Sequence, residues 1–395
     1  MIYLKTIFYV SLFLLIVNSP IFVTYYNIKY DNLVLIIAPI IGIIFLYSLM
    51  KYLGVRRLNP NLFKLNLNPN YALFIALFCN VVILRTFDLN DFIGGNIYEI
   101  REENNKFNID VLGQILPLLL VYPALYVVWQ FGRTMSKLNW KFFAILLCLV
   151  LYGISSGGRA YVFTTLLLYV FIAKPKIWSI KYVPLVALVL FLFAFITIGR
   201  INKDLEFDSA TYIEASAPIA FNQWLNDEAI NSNVRNFVVQ TVFYFGHSVP
   251  AFCNKVDNLD IELFPRSLLG LQPFVERQFI RIGLLGHDQQ QRYMELTGLA
   301  KRSGFFEDSW STTFLDVYYQ EGIIFSILFF LFIGIIFYQT NLNLVKTKTV
   351  KFKVITGFNV VFIISFFLTP IFMDTTWFFT YIVLWFSSNK ELISS

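Results

Sequence analysis

The sequence predicts an all-α, polytopic integral membrane protein with about ten transmembrane helices and one large loop outside the membrane. Three observations lead to this prediction. Of the 395 residues, 57% are hydrophobic and only 14% are charged. Apolar runs long enough to cross about 30 Å of hydrocarbon recur along most of the chain. Residues 201–311 form the long polar interruption, and both histidines, His247 and His287, lie there.

Charge and cysteine content exclude several other classes of protein. The net charge of +6 does not indicate a nucleic-acid partner, because the basic residues lie in short loops between apolar runs. The three cysteines, Cys79, Cys148 and Cys253, have neither disulfide nor metal-ligand spacing. The chain also lacks the glycine patterns of phosphate loops and dinucleotide-binding folds. We therefore expect no metal and no cofactor.

Successive apolar runs define the predicted spans. The first run lacks a small-residue cleavage site after it and is interpreted as an uncleaved helix. The spans lie at about 5–25, 33–53, 71–88, 111–131, 140–155, 160–173, 182–200, 314–340, 354–373 and 375–388. They divide the chain into a seven-helix N-terminal membrane region (1–200), a large loop with short or re-entrant helices (201–311) and a three-helix C-terminal membrane region (312–395).

The positive-inside rule orients these spans. Basic residues concentrate in alternate loops and at the termini, as Lys5, Lys51, Arg56, Arg57, Lys64, Arg133, Lys137, Lys141, Lys174, Lys176, Lys181, Lys346, Lys348, Lys351, Lys353 and Lys390. The opposite short loops hold fewer basic residues, and the third loop is acidic. Both termini are therefore predicted to be cytoplasmic and the large loop external.

The stretch Val234–Phe252, inside the large loop, is apolar enough to resemble an additional span. Such a span would place the lysines at 346–353 outside, against the charge rule. Arg235, Gln240 and His247 also make it a poor lipid-facing helix. We expect an interfacial helix or one that dips into the protein.

The fifth and sixth spans are unusually short. Residues 140–173 leave about 15 residues for each helix, which reaches about 22 Å and does not cross the hydrocarbon. The turn Ser155–Arg159 should therefore lie below the outer surface, where charge is tolerated only beside protein or a water-filled cavity. We expect Arg159 to line an outward-facing cavity, with a snorkelling arginine at an ordinary turn as the alternative.

Several side chains of the large loop are suited to phosphate binding and acid–base chemistry. Arginine binds phosphate bidentately, and the loop contains Arg235, Arg266, Arg277 and Arg281. His247 ends an apolar run and is a candidate general base near neutral pH. A structural histidine is the alternative.

The eighth span begins with polar residues. Ser311 is the predicted N-cap, and helical spacing then places Thr312, Asp316 and Tyr319 on one face. These side chains either bind sugar hydroxyls at the outer mouth of the membrane or form part of an interfacial belt.

In this order, the features resemble the oligosaccharide repeat-unit polymerases of the Wzy type, which include O-antigen polymerases. The resemblance covers most of the chain by architecture. Its motifs are Ser156-Gly157-Gly158-Arg159, the Tyr-Phe-Gly-His-Ser segment at 244–248, and the Thr-Thr-Phe-Leu-Asp-Val-Tyr helix start at 312–318. Arg235 and Gly246 match a further arginine–glycine pattern of some relatives. The resemblance also implies a GT-C-like polymerase or ligase architecture.

The resemblance implies metal-independent glycosyl transfer, inverting or retaining, at the outer face of a bacterial inner membrane. A growing chain on undecaprenyl diphosphate would be the donor and a lipid-linked repeat unit the acceptor, yielding O-antigen or capsule. It also suggests a chain-length regulator protein as a partner.

This glycosyl transfer needs two kinds of side chain. The leaving diphosphate needs cationic stabilisation, and the acceptor hydroxyl needs a base. We assign binding of the diphosphate to Arg159 and Arg235, with Arg266, Arg277 and Arg281 in reserve. We assign the role of the base to His247, with Asp316 as substitute. Binding of the sugar is assigned to Tyr244, Thr312 and Tyr319.

Three other functions compete with this one. A ligase that transfers finished polymer to a lipid core needs similar outer arginines and a histidine. A flippase or secondary transporter usually has paired halves, whereas this chain has one large loop without a counterpart. A membrane acyltransferase is disfavoured because both histidines lie in the outer loop.

Overall fold

The computed structural model describes most of the membrane region and parts of the large loop. The described residues are 2–26, 28–58, 60–84, 111–133, 139–155, 159–173, 214, 219–226, 235, 238–239, 242–243, 246–257, 262–263, 275, 312–367 and 374–388.

Within these residues the chain is mainly α-helical. The helices are α1 (Ile2–Val17), α2 (Val34–Tyr52), α3 (Pro69–Leu84), α4 (Val111–Leu119), α5 (Val121–Gly132), α6 (Trp140–Ser155), α7 (Arg159–Ala173), α8 (Ser248–Asp257), α9 (Thr313–Thr347), α10 (Val350–Phe367) and α11 (Thr375–Phe386). Short strands are β1 (Val23–Tyr25), β2 (Phe63–Lys64), β3 (Ile219–Phe221) and β4 (Ser387–Ser388), and 3-10 turns lie at Tyr30–Leu33 and Gln223–Asn226.

The helices overlap the predicted spans wherever the structure describes the chain. Within the described residues, four segments are long and apolar enough to cross a membrane: Tyr30–Tyr52, Ile115–Gly132, Glu321–Thr347 and Val350–Phe367. Shorter apolar helices occupy five further predicted spans. The protein is therefore a mostly helical chain of membrane type. The seventh predicted span, 182–200, lies outside the described residues, so the count of ten stays a prediction.

The first predicted span is too long at its C-terminal end. Helix α1 ends at Val17, and the chain continues through a turn into β1. Pro20 explains this end, because a proline disfavours helical backbone at the residue before it. Asn18 closes the helix by donating from Nδ2 to the Leu14 carbonyl at 2.8 Å.

The chain divides into two compact units, each built from distant segments. The first comprises Met1–Val55, Leu205–Ile336 and Phe362–Met373, and the second comprises Arg56–Asp204, Phe337–Val361 and Asp374–Ser395. The predicted boundaries at residues 200 and 311 concern membrane topology, which this division does not test.

In the first unit, β1 pairs antiparallel with β3, and Thr24 lies opposite Ala220. Trp224 donates from its indole nitrogen to the Ile21 carbonyl at 2.7 Å. Asn32 donates from Nδ2 to the Cys253 carbonyl of α8 at 3.1 Å. These bonds join the first loop to the large loop, two segments that the charge rule places on the same face.

Helix α9 is broken within the first unit. Gly322 has φ 66° and ψ 179°, which is not helical. The amide groups that follow the break donate to the large loop: Ile323 to the Glu262 carbonyl at 3.0 Å and Ile324 to the Leu263 carbonyl at 3.2 Å. The loop therefore satisfies two backbone donors that the break leaves without helical partners.

In the second unit, α5 is the central helix and packs against α3, α6, α7 and α11. Nearly all its residues are buried, including Val127 and Val128 at 0% exposure. Asn80 of α3 donates to the Cys148 carbonyl of α6 at 2.9 Å. Strands β2 and β4 pair in parallel, and the buried Lys351 ammonium donates to the Pro60 carbonyl at 3.2 Å. These contacts join loops predicted to share the cytoplasmic face.

Candidate functional site

The candidate base, His247, lies in a buried helical stretch of the large loop. The described residues between Arg235 and Gly246 are helical, and α8 follows directly after His247. Val239 and Phe243 belong to one hydrophobic cluster with residues of α1, β1 and β3. The described part of this apolar stretch is thus buried against protein, which fits a helix that dips into the protein.

The ring of His247 is held in one orientation. Its Nδ1 lies 2.5 Å from the Phe243 carbonyl oxygen, and its ring stacks on the Phe243 ring with centroids 4.4 Å apart. A carbonyl oxygen only accepts hydrogen bonds, so Nδ1 carries the hydrogen in the neutral imidazole. Nε2 then carries the lone pair and is the nitrogen able to accept a proton.

Gly246 allows the histidine segment to approach the end of α1. A Cβ at this position would lie 3.1 Å from Val17 Cγ1, 3.2 Å from Asn18 Oδ1 and 3.3 Å from the Tyr25 hydroxyl. These distances are tighter than ordinary van der Waals contact, so a side chain would displace its neighbours. Close packing therefore explains the glycine of the arginine–glycine pattern.

Polar atoms are buried at the junction where the segment around Gly246 and His247 meets the end of α1. Within the described residues, Asn18 Oδ1, Ser19 Oγ, the Tyr25 hydroxyl and Ser248 Oγ have no hydrogen-bond partner. Leaving such a group unsatisfied costs about 1–3 kcal/mol, and proteins usually satisfy it with water or a ligand. His247 therefore lies beside a polar interior, although its own side chain is 0% exposed.

The structure also describes two other side chains of the large loop that could take part in chemistry. Arg235 is half-buried in the same helical stretch as His247. In α8, burial and the nearby Asp257 carboxylate raise the pKa of Cys253 to about 12. A thiol with that pKa is not a nucleophile at neutral pH.

The start of α9 differs from the prediction in its cap. The helix begins at Thr313, so the N-cap is Thr312 and not Ser311. Thr312 Oγ1 accepts from the Leu315 amide at 3.3 Å and is fully buried, so capping accounts for this side chain. Tyr318 and Tyr319 are also buried, which argues against an interfacial belt.

The structure leaves several predicted site residues untested. Arg159 begins α7 and Asp316 lies in α9, but only their backbone is described. Outside the described residues lie Tyr244, Arg266, Arg277 and Arg281. The cavity predicted around Arg159 therefore stays a prediction.

The sequence interpretation missed a second polar group, here called the Asp374 cluster: Tyr152, Tyr161, Asp374 and Trp377. It lies in the second unit, where the C-terminal end of α6 and the N-terminal end of α7 meet the start of α11. The ring centroids of Tyr152 and Tyr161 are 6.0 Å apart, and those of Tyr161 and Trp377 are 5.2 Å apart.

Asp374 is the N-cap of α11. Its carboxylate accepts from the Trp377 amide at 3.0 Å, a geometry that the capping rule could have predicted from an acidic residue before a short apolar run. Burial raises the pKa of Asp374 to about 6, and backbone hydrogen bonds from Trp377 and Thr376 oppose that shift only partly.

Two polar atoms of α11, Trp377 Nε1 and Thr380 Oγ1, have no hydrogen-bond partner in the part of the chain that the structure describes. The Tyr161 hydroxyl lies beside the Thr376 side chain, whose hydroxyl donates to the Pro117 carbonyl at 2.9 Å and can still accept. Gly153 permits the close packing of α6 on α7, since a Cβ there would lie 2.7 Å from Tyr161 Cδ1.

Comparison with known proteins identifies no matching family model, no similar curated protein and no similar solved structure. The resemblance to repeat-unit polymerases therefore rests on the sequence motifs alone. Among the described residues, no three His, Cys, Asp or Glu side chains come together as metal ligands.

Proposed function

We propose that this protein polymerises undecaprenyl-diphosphate-linked repeat units into a surface polysaccharide at the outer face of a bacterial inner membrane. The observation that best supports this proposal is His247, a buried imidazole whose Nδ1 is held by the Phe243 carbonyl. Its Nε2 is then poised to accept a proton, and buried polar atoms lie at the same junction. This geometry suits activation of an acceptor hydroxyl.

In the proposed reaction, the acceptor hydroxyl attacks the anomeric carbon of the sugar that links the growing chain to undecaprenyl diphosphate. The new glycosidic bond forms as the sugar–phosphate bond breaks. His247 takes the hydroxyl proton, and the diphosphate leaves with its negative charge stabilised by arginine. Arg235, in the same helical stretch as His247, is the proposed cation within the first unit, with Arg266, Arg277 and Arg281 in reserve. For Arg159, at the start of α7 in the second unit, diphosphate binding stays a prediction of the sequence.

Reconstitution tests this proposal directly. We expect purified full-length protein in liposomes to convert lipid-linked repeat units into a ladder of longer lipid-linked chains, resolved on a gel, without added metal. The matched control is an equal amount of empty liposomes. A protein that moves the substrate across the bilayer without lengthening it is a flippase, and this outcome would contradict the proposal.

A deletion strain separates the polymerase from a ligase. Loss of a polymerase leaves a single repeat unit on the lipid core, whereas loss of a ligase leaves none. We expect the single-repeat product, read by electrophoresis of the envelope glycolipid.

Cysteine pairs test the proposed orientation. Thr24→Cys with Ala220→Cys places two thiols opposite each other on β1 and β3. Antiparallel partners have Cα atoms about 4.5–5.5 Å apart, within disulfide range. We expect this pair to oxidise spontaneously in the periplasm, measured by protection from a maleimide gel-shift reagent.

The matched control pair is Phe63→Cys with Ser387→Cys, which are partners on β2 and β4. We expect it to stay reduced because the cytoplasm keeps thiols reduced. The native cysteines, Cys79, Cys148 and Cys253, are free and buried, so their background should be low. Oxidation of the control pair alone would show that the protein has the opposite orientation in the membrane.

A further inference from the structure

A loop on the predicted cytoplasmic face exposes several large apolar side chains. It comprises residues 56–58 and 60–64 of the second unit and is here called the basic loop. Within it, Leu58, Leu62 and Phe63 are 61%, 75% and 43% exposed. Large apolar side chains that are exposed together mark a surface that contacts a membrane or another molecule.

Cations accompany these apolar side chains. Arg56, Arg57 and Lys64 belong to the basic loop, and all three are exposed. Among the described residues of the second unit, the acidic residue is Asp374. It lies before α11, whereas β4, the strand that pairs with the loop, follows that helix of 12 residues, about 18 Å away. No described carboxylate therefore lies close enough to balance the loop, whose electrostatic complement is an anionic surface.

Buried polar side chains of α9 hold the backbone of the basic loop. Gln339 Oε1 accepts from the Leu58 amide at 2.8 Å, and Gln339 Nε2 donates to the Arg56 carbonyl at 3.1 Å. Asn343 Nδ2 donates to the Leu58 carbonyl at 2.8 Å. Both Gln339 and Asn343 are fully buried. Together with the pairing of β2 and β4, these bonds fix the path of the loop while its side chains stay exposed.

The helix that holds the basic loop is longer than the membrane core. Its apolar segment, Glu321–Thr347, has 27 residues and is about 40 Å long at 1.5 Å per residue. The hydrocarbon core is about 30 Å thick, so the helix extends into the headgroup region. Gln339 and Asn343 lie in its last three turns, where the sequence becomes polar. The basic loop is therefore expected at the level of the lipid headgroups.

We infer that the basic loop is a binding surface for anionic phospholipids of the cytoplasmic leaflet. Its apolar side chains insert between the lipids at headgroup level, and Arg56, Arg57 and Lys64 bind the lipid phosphates. Arginine suits this role because its guanidinium bonds two phosphate oxygens at once. Since Gln339 and Asn343 fix the loop in the absence of lipid, binding costs little conformational entropy. This inference does not depend on the proposed polymerase activity.

Lipid-dependent fluorescence quenching at the loop tests this inference. Asn61 is exposed in the basic loop, and the native cysteines are buried, so Asn61→Cys can be labelled selectively with a fluorescent maleimide. The labelled full-length protein is placed in phosphatidylcholine nanodiscs that contain increasing amounts of a nitroxide-labelled lipid, either phosphatidylglycerol or phosphatidylcholine. We expect half-maximal quenching at an about 10-fold lower fraction of phosphatidylglycerol.

Two sets of substitutions separate the charges from the apolar contacts. Arg56→Gln combined with Arg57→Gln should abolish the preference for phosphatidylglycerol and leave quenching by phosphatidylcholine unchanged. Leu62→Ser should reduce quenching by both lipids, because the loop then inserts less. The matched control is Lys29→Gln, which removes an exposed cation from the loop between α1 and α2. The charge rule places that loop on the opposite face, so the preference should be retained.

Asn343→Leu distinguishes a fixed binding surface from positive charge alone. The substitution removes the hydrogen bond to the Leu58 carbonyl and changes no charge. We expect the preference for phosphatidylglycerol to fall about 5-fold, as the loss of one hydrogen bond that orders the loop implies. A preference equal to that of the wild type would show that the loop acts only through its charge and would overturn the fixed surface.

Two results would overturn lipid binding itself. The first is equal quenching of the wild type by the two lipids, or a preference for phosphatidylglycerol that survives the double arginine substitution. The second is an absence of quenching by either lipid, which would show that the basic loop faces water and would leave an acidic protein as the complement of its charge.

Discussion

Replacing His247 with alanine is expected to lower the rate of chain elongation by about 100-fold or more, the usual contribution of a positioned general base. The ring is buried and its Nδ1 is held by the Phe243 carbonyl, so Nε2 is the nitrogen able to accept the hydroxyl proton. The measurement is the initial rate of polymer formation by reconstituted protein.

Because His247 is fully buried, alanine also removes packing against Phe243. His247→Asn addresses this problem, since its Nδ2 matches the position of the histidine Nδ1 and can still donate to the Phe243 carbonyl, but the amide cannot act as a base. We expect Asn to recover part of the thermal stability lost with Ala and little of the activity. His287→Ala, at the chain's other histidine, is the control and should elongate normally. Wild-type rates with His247→Asn would rule out the general-base role.

The second large effect is expected at Gly322. Its φ of 66° and ψ of 179° lie in a region essentially restricted to glycine, where another residue costs about 1–3 kcal/mol. Gly322→Ala should therefore lower the thermal unfolding temperature of the purified protein by several degrees. It should also weaken the bonds from Ile323 and Ile324 to the large loop, exposing the segment around residues 262–263 to protease.

Gly42→Ala is the matched control for this substitution. Gly42 lies inside α2, and a Cβ there would meet Leu331 Cδ2 at 3.8 Å, an ordinary contact. Alanine favours helix over glycine, so this variant should be as stable as the wild type or slightly more so. Equal stability of the two variants would show that the break in α9 does not depend on Gly322.

Some features of the site could be predicted because their signals are local. The short hairpin of α6 and α7 follows from residue counting, and these helices have 16 and 15 residues. The buried character of the stretch before His247 follows from its apolar residues combined with Arg235, which disfavours contact with lipid.

Other features depend on contacts that no local pattern contains. Serine is a common N-cap residue, and the sequence therefore predicts Ser311 as the cap. The helix begins one residue later, at Thr313, so Thr312 occupies the N-cap position. By position, Asp374 is the single residue between two predicted spans, 354–373 and 375–388. Its importance became visible only when α11 packed Trp377 against Tyr161, more than two hundred positions away in the chain.

The sequence by itself determined the membrane class of this protein, the approximate positions of its apolar helices and their expected orientation. These properties depend on hydrophobicity and charge summed over short windows, which are independent of the fold. Only the tertiary structure decided which nitrogen of His247 is held by Phe243, why Gly246 and Gly322 are glycines, and where Asp374 lies. Each of these depends on the position of a distant backbone or on the sign of a dihedral angle, and packing of the whole chain sets both.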